Sequence, residues 1–223
     1  MTTYNAQATA EAGLIVIALD GRGTARRDRA FRYAFAGSRD IFGAADHKAA
    51  IENLAKRFAY LDPTRVGITG ASFGGHGSLR AALLYPDFFD AVVSHVGPHE
   101  SLSSTASTIS TERFLGVPGG DRDIYEATSN IAIIDKLKAD LLLVYGEIDE
   151  NVPLRAAMTI YDALMQADKD FTTYVVPNAD HLGAFHNRYI VERQRRFFRE
   201  HLGGPGRWEK GSAQTAPLPA LDQ

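Results

Sequence analysis

Residues 65–86 read RVGITGASFGGHGSLRAALLYP. A short apolar run ending at Thr69 leads into Gly70-Ala71-Ser72-Phe73-Gly74, and a helix-forming stretch follows. A G-x-S-x-G pattern arises by chance in roughly one chain in ten of this length, so its surroundings decide its meaning. Here they read as a strand, a sharp turn at Ser72 and a helix packed close behind, the setting of a nucleophile elbow. Gly70, Gly74, Gly75 and Gly77 supply the small residues that let strand and helix approach. The helix N-terminus would aim backbone N–H groups at a developing oxyanion, with the N–H of Phe73 as one donor. The bland alternative is a structural glycine-rich turn.

Similar strand signals recur along the chain. GLIVIALD (13–20) is a continuous apolar run bounded by turn residues, as in a strand buried on both faces; AVVSHV (91–96) reads as another buried strand, and LLLVYG (141–146) and FTTYVVP (171–177) as two more strands. Helical spacing marks about 40–61, the stretch after Ser72, VPLRAAMTIYDALMQA (152–167) and GAFHNRYIVERQRRFFREHL (183–202). Alternating strands and helices predict an α/β fold with a mostly parallel sheet, whose chemistry belongs at the C-terminal ends of the strands. The expected organisation is one domain over 1–203 and a disordered tail over 204–223. Between Gly97 and about Ser129 the pattern turns polar and irregular, which reads as a functional loop.

Composition narrows the field. The chain has 223 residues, a formal net charge of −3 and no cysteine. Disulfides, thiolate metal sites and a cysteine nucleophile are excluded, and no basic field points to nucleic acid. No apolar run reaches membrane-spanning length and no signal peptide is apparent, so the expected location is cytoplasmic. No metal or other cofactor is implied: His95 and His99 are four apart, but Gly97-Pro98 between them forbids a shared helix face.

A serine hydroxyl needs a base, and the base needs a carboxylate to fix its tautomer. YGEIDENVP places Asp149 at the end of its strand, and VVPNADH places His181 in the loop after the next one. Ser72, Asp149 and His181 follow the serine–acid–histidine order of α/β-hydrolases. Rivals are Glu147 and Glu150 for the acid and His186 for the base. Asp180 would shape the loop; His47, His76 and His201 read as structural or exposed.

LDGRGT, RVGITGASFGG, TERFLG, LLLVYGEIDENVP and PNADH, in this order, resemble the catalytic domain of the prolyl oligopeptidase family, especially its dipeptidyl peptidase IV and acylaminoacyl peptidase branches. The resemblance covers about residues 10–201. It implies an α/β-hydrolase fold, the triad Ser72, Asp149 and His181, and peptide substrates. It also implies that Asn151 contacts a substrate carbonyl and that Val152 lines a specificity pocket, although Asn151 is equally placed to cap the helix that follows. The likeness has departures. The propeller of the family has no counterpart, and Ala106 and Ser110 stand where large rings precede TER. The family places a further strand between GLIVIALD and the elbow strand, and its loop supplies the second oxyanion donor. Three expectations stay open: an N-terminally shortened hydrolase, direct pairing of GLIVIALD with RVGITG, or a second copy or partner chain completing the sheet. Three functions follow: a serine peptidase acting on short peptides, a carboxylesterase acting on small esters, or a hydrolase-like interaction module with little activity.

Overall fold

The computed structural model describes residues 3–34, 43–100, 112, 115 and 122–203. The elements are α1 (Thr3–Ala10), α2 (Arg29–Arg32), α3 (Ala44–Arg57), β1 (Gly67–Ala71), α4 (Phe73–Leu84), β2 (Ala91–His95), α5 (Arg122–Thr128), a 3-10 helix (Ile131–Lys136), β3 (Asp140–Gly146), α6 (Leu154–Gln166), β4 (Thr172–Val176), α7 (His181–His186) and α8 (Arg188–Leu202). The proposed tail, Ala106, Ser110 and most of TERFLG lie outside the described residues.

The four strands are parallel and lie in chain order, β1-β2-β3-β4. The alternation of side chains along each strand sorts the core into two layers. Val92, Leu141, Leu143 and Tyr145 pack with Leu79 and Leu83 of α4 and with Ile160 and Leu164 of α6. Ala91, Val93, Leu142, Val144 and Val176 face Ile190, Phe197, Phe198 and Leu202 of α8. α4, which joins β1 to β2, and α6, which joins β3 to β4, lie on the same face of the sheet. A strand covered on both faces cannot alternate polar with apolar, which is why AVVSH and LLLVYG read as uninterrupted runs.

Two expectations need correction. GLIVIALD is not a strand: Leu14–Asp20 has no ladder partner, and direct pairing with β1 is overturned. A strand exists only through a neighbour at hydrogen-bonding distance, and here a cleft of about 600 Å³ separates the run from β1. Leu14–Leu19, Gly67, Ile68 and Thr69 of β1, Ala81, Phe89 and Leu202 line this cleft. The final helix is also two helices. Asn187 breaks the pattern with extended backbone (ψ 124°), and its side-chain oxygen accepts the N–H groups of Tyr189 and Ile190, starting α8. No helix among the described residues is long and apolar enough to cross a membrane.

Three histidines are buried in or beside the sheet, and burial pushes all three below the usual imidazole range: His76 to about 4, His99 well below, His95 in the same direction. Each is therefore neutral when folded and takes up a proton near 6.5 when unfolded. As pH falls through 6.5 toward 4 the unfolded chain binds protons that the native one refuses, so stability is lost in that window. His76 alone accounts for ~3 kcal/mol once pH is below its folded value. Urea midpoints measured from pH 7.5 to 4.5 should fall steeply below pH 6.5, and His99→Asn should flatten the slope.

Candidate active site

Parallel strands in chain order bring the ends of β1, β3 and β4 to one edge of the sheet. Ser72 follows β1, Asp149 lies three residues past β3, and His181 opens α7 shortly after β4.

Ser72 holds a backbone conformation that L-residues rarely adopt, φ 58° and ψ −124°. Such a turn costs on the order of 1–3 kcal/mol and persists only where its surroundings over-determine it. Its N–H donates to the His95 carbonyl at 2.9 Å, and its carbonyl accepts the His76 N–H at 3.1 Å. Gly70 and Gly75 act where the sequence suggested, whereas Gly74 has open space where a Cβ would stand. A Cβ on Gly70 would lie 2.3 Å from the Gly74 carbonyl oxygen, and one on Gly75 would lie 2.5 Å from that of His95. Either substitution has to push backbone apart. Gly75→Ala should destabilise the fold by ~1–3 kcal/mol in urea unfolding. Gly74→Ala meets no atom within 4 Å and should stay within about 0.5 kcal/mol. Phe73 is the first residue of α4, so its N–H belongs to the helix N-terminus beside Ser72.

Asp149 and His181 are in contact. The His181 Nδ1–H donates to Asp149 Oδ2 at 2.7 Å. The other oxygen, Oδ1, accepts the N–H groups of Asn151 at 2.8 Å and Val152 at 2.9 Å. The Asp149 side chain is fully buried, and that of His181 retains a small exposed surface. A buried carboxylate that accepts three hydrogen bonds fixes the orientation of its imidazole.

The rivals lie elsewhere. Glu147 and Glu150 are exposed, and Glu147 Oε2 accepts the Asn178 N–H. His186 is exposed at the end of α7. Asp180 caps α7 by accepting the Gly183 N–H at 2.7 Å, so His181 starts a helix rather than sitting in a loop. His95 Nε2–H donates to Gln194 Oε1 at 2.6 Å, whereas His99 meets Ser94 and Asn130. The two histidines are not a metal pair, and no metal-holding cluster occurs among the described residues.

Asn151 does not cap α6; Pro153 is the N-cap and its side chain makes no capping bond. Asn151 is exposed, and its backbone N–H holds Asp149. Val152 is 2% exposed within the core layer of α4 and α6.

Sequence reasoning missed the buried polar network behind the elbow. Asn130 donates to the His76 carbonyl at 3.0 Å and to His99 Nδ1 at 3.1 Å, and His76 Nδ1 lies 2.6 Å from the Pro98 carbonyl oxygen. Arg80 donates to the carbonyls of Ser129 and Ala127. These contacts bolt 97–99 and 127–130 to the helix that follows Ser72. Polar residues inside an otherwise apolar helix were the only advance signal.

Comparison with known proteins shows the family and the fold. The model of the prolyl oligopeptidase family matches residues 1–205. Human dipeptidyl peptidase 8 is 30% identical over 175 residues, 77% of this chain and 19% of that protein. A probable dipeptidyl-aminopeptidase B of Coccidioides posadasii is 31% identical over 191 residues, 82% of this chain and 20% of that protein. The crystal structure of Porphyromonas gingivalis dipeptidyl peptidase 4 superposes with a TM-score of 0.73 at 27% identity, covering 82% of this chain and 26% of that one. A putative dipeptidyl aminopeptidase IV from Bacteroides ovatus gives a TM-score of 0.75 at 25% identity, over the same shares of the two chains. The chain thus spans about a fifth of the length of these curated relatives. It has the α/β-hydrolase fold and belongs to the prolyl oligopeptidase family.

Proposed function

We propose that this chain is a serine hydrolase of the peptidase type, acting by acyl transfer on short peptides. Above all, His181 is bonded to a buried Asp149 at the same sheet edge where Ser72 sits in a strained turn. In this reading Ser72 Oγ attacks a substrate carbonyl. His181 takes the hydroxyl proton on the nitrogen not engaged with Asp149 and hands it to the leaving group. Asp149 holds the tautomer and stabilises the imidazolium, and the Phe73 N–H helps to hold the oxyanion. Water then repeats the sequence on the acyl-enzyme and releases the acid. No cofactor enters any step. Asn151, which is exposed, contacts a substrate carbonyl, and Val152 lines the specificity pocket.

Ester and amide hydrolysis share this machinery, so small esters are the competing substrate class. Kinetic efficiency on a short nitrophenyl ester, set against aminoacyl and dipeptidyl anilides, separates them. Anilide turnover within about 10²-fold of ester turnover is expected; ester turnover alone supports a carboxylesterase.

Among the described residues β1 pairs only with β2, which favours a second reading, a weakly active module whose sheet a second copy or a partner chain completes. An uncovered edge strand beside an apolar cleft invites strand addition. Loss of one oxyanion donor costs about 10² to 10³ in turnover, so a site lacking its second donor would be slow. Specific activity that rises with protein concentration, in step with sedimentation to a dimer, supports this reading. A monomer of constant activity sets the second copy aside.

A further inference from the structure

Two large aliphatic side chains stand uncovered beside the candidate triad. Ile148 is 56% exposed and Leu182 is 59% exposed. Ile148 immediately precedes Asp149, and Leu182 immediately follows His181. The backbone joins the turn after β3 to the segment that leads into α7. The Ile148 N–H donates to the Ala179 carbonyl and the Glu147 N–H to the Val176 carbonyl, both at 3.1 Å, and the His181–Asp149 bond closes the same junction. A single exposed aliphatic residue needs no explanation. Two of them, one on each side of the bond that orients the base, mark a surface for a ligand. Three exposed carboxylates, Glu147, Glu150 and Asp180, sit among them.

Acyl transfer fixes which part of a substrate comes here. The proton that His181 removes from Ser72 passes to the leaving group, so the leaving atom must come within hydrogen-bond reach of the imidazole. Whatever the leaving group carries then extends past His181, whose chain neighbour Leu182 and the Asp149 neighbour Ile148 are both exposed. We propose that Ile148 and Leu182 form the leaving-group subsite, which accepts an apolar residue and disfavours an acidic one. This inference rests on the acyl-transfer reading above.

Nucleophile partitioning isolates the subsite, because an incoming amine uses the path by which a leaving amine departs. The amine nitrogen attacks the acyl-enzyme carbonyl, the N–C bond forms, and the C–O bond to Ser72 Oγ breaks. His181 carries the amine proton to Ser72 Oγ, and an amide is released; water in the same place releases the acid. The 223-residue protein is acylated with a nitrophenyl ester in the presence of leucine amide, glycine amide or glutamate α-amide. Amide and acid products are then quantified by mass spectrometry.

Leucine amide is expected to capture the acyl group at least about tenfold more often than glycine amide, consistent with burying one side chain. Glutamate α-amide should fall below glycine amide. In Leu182→Lys the leucine advantage should drop to within about threefold, and glutamate α-amide should overtake glycine amide. The partition ratio is internal to each protein, so a change in overall rate does not distort it. Equal ratios for the three amines, or ratios unchanged in both Leu182→Lys and Ile148→Lys, overturn the subsite alone. Failure of a fluorophosphonate to label Ser72 in the folded protein overturns the acyl-transfer reading and the subsite with it.

Discussion

Ser72→Ala is expected to lower turnover of a dipeptidyl anilide by about 10⁵ to 10⁶-fold, with substrate binding nearly unchanged. The size follows from what remains. Without Oγ no acyl-enzyme forms, and His181 and Asp149 have no nucleophile to activate. What survives is the helix N-terminus at Phe73 and substrate positioning, which together stay about 10³ to 10⁴ above the reaction in water. The strained backbone at Ser72, φ 58°, is kept by the His95 and His76 hydrogen bonds, which use main-chain atoms only. Alanine leaves these intact, so the variant should fold and unfold like the parent in urea. A loss below about 10²-fold would place the nucleophile elsewhere.

Asp149→Asn is expected to lower kcat by about 10⁴ while leaving the fold in place. Two backbone donors, the N–H groups of Asn151 and Val152, converge on Oδ1. An asparagine must put its carbonyl oxygen there, which turns its NH2 toward His181. His181 then has to accept on Nδ1 and carries its proton on the other nitrogen, where it can no longer take one from Ser72. The variant is isosteric and keeps both main-chain bonds, so the defect should appear in kcat rather than in the urea midpoint. Steady-state kinetics with both variants measured side by side checks the order of effects: Ser72→Ala first, Asp149→Asn second.

The four strands were legible from the turn residues that bound them, most clearly β3, which spans Asp140–Gly146, within a residue of the apolar run LLLVYG. The positions of Ser72, Asp149 and His181 followed from one rule, that parallel sheets carry chemistry past their strand ends. GLIVIALD shows where the rule for strands stops. Apolar content reports that a segment wants burial, but ladder membership depends on a neighbour, and the run lies across a cleft from β1. Asn187 was invisible for a different reason. The helical spacing runs straight through it, and only its side-chain oxygen, bonded to Tyr189 and Ile190, separates α7 from α8. The same applies to Asp149, whose two backbone donors at Asn151 and Val152 come from a turn that residue types alone do not specify. The His76, His99 and Asn130 network was out of reach because its members are far apart in sequence and carry no periodic signal.

The central claim is that Ser72 is a nucleophile activated by His181 and Asp149. Its most direct test is treatment of the folded protein with a fluorophosphonate, followed by mapping of the adduct by peptide mass spectrometry. One adduct per chain is expected, on Ser72, with labelling slowed by at least about 10³-fold in His181→Ala. An unlabelled folded protein, or an adduct on a different serine, would contradict it.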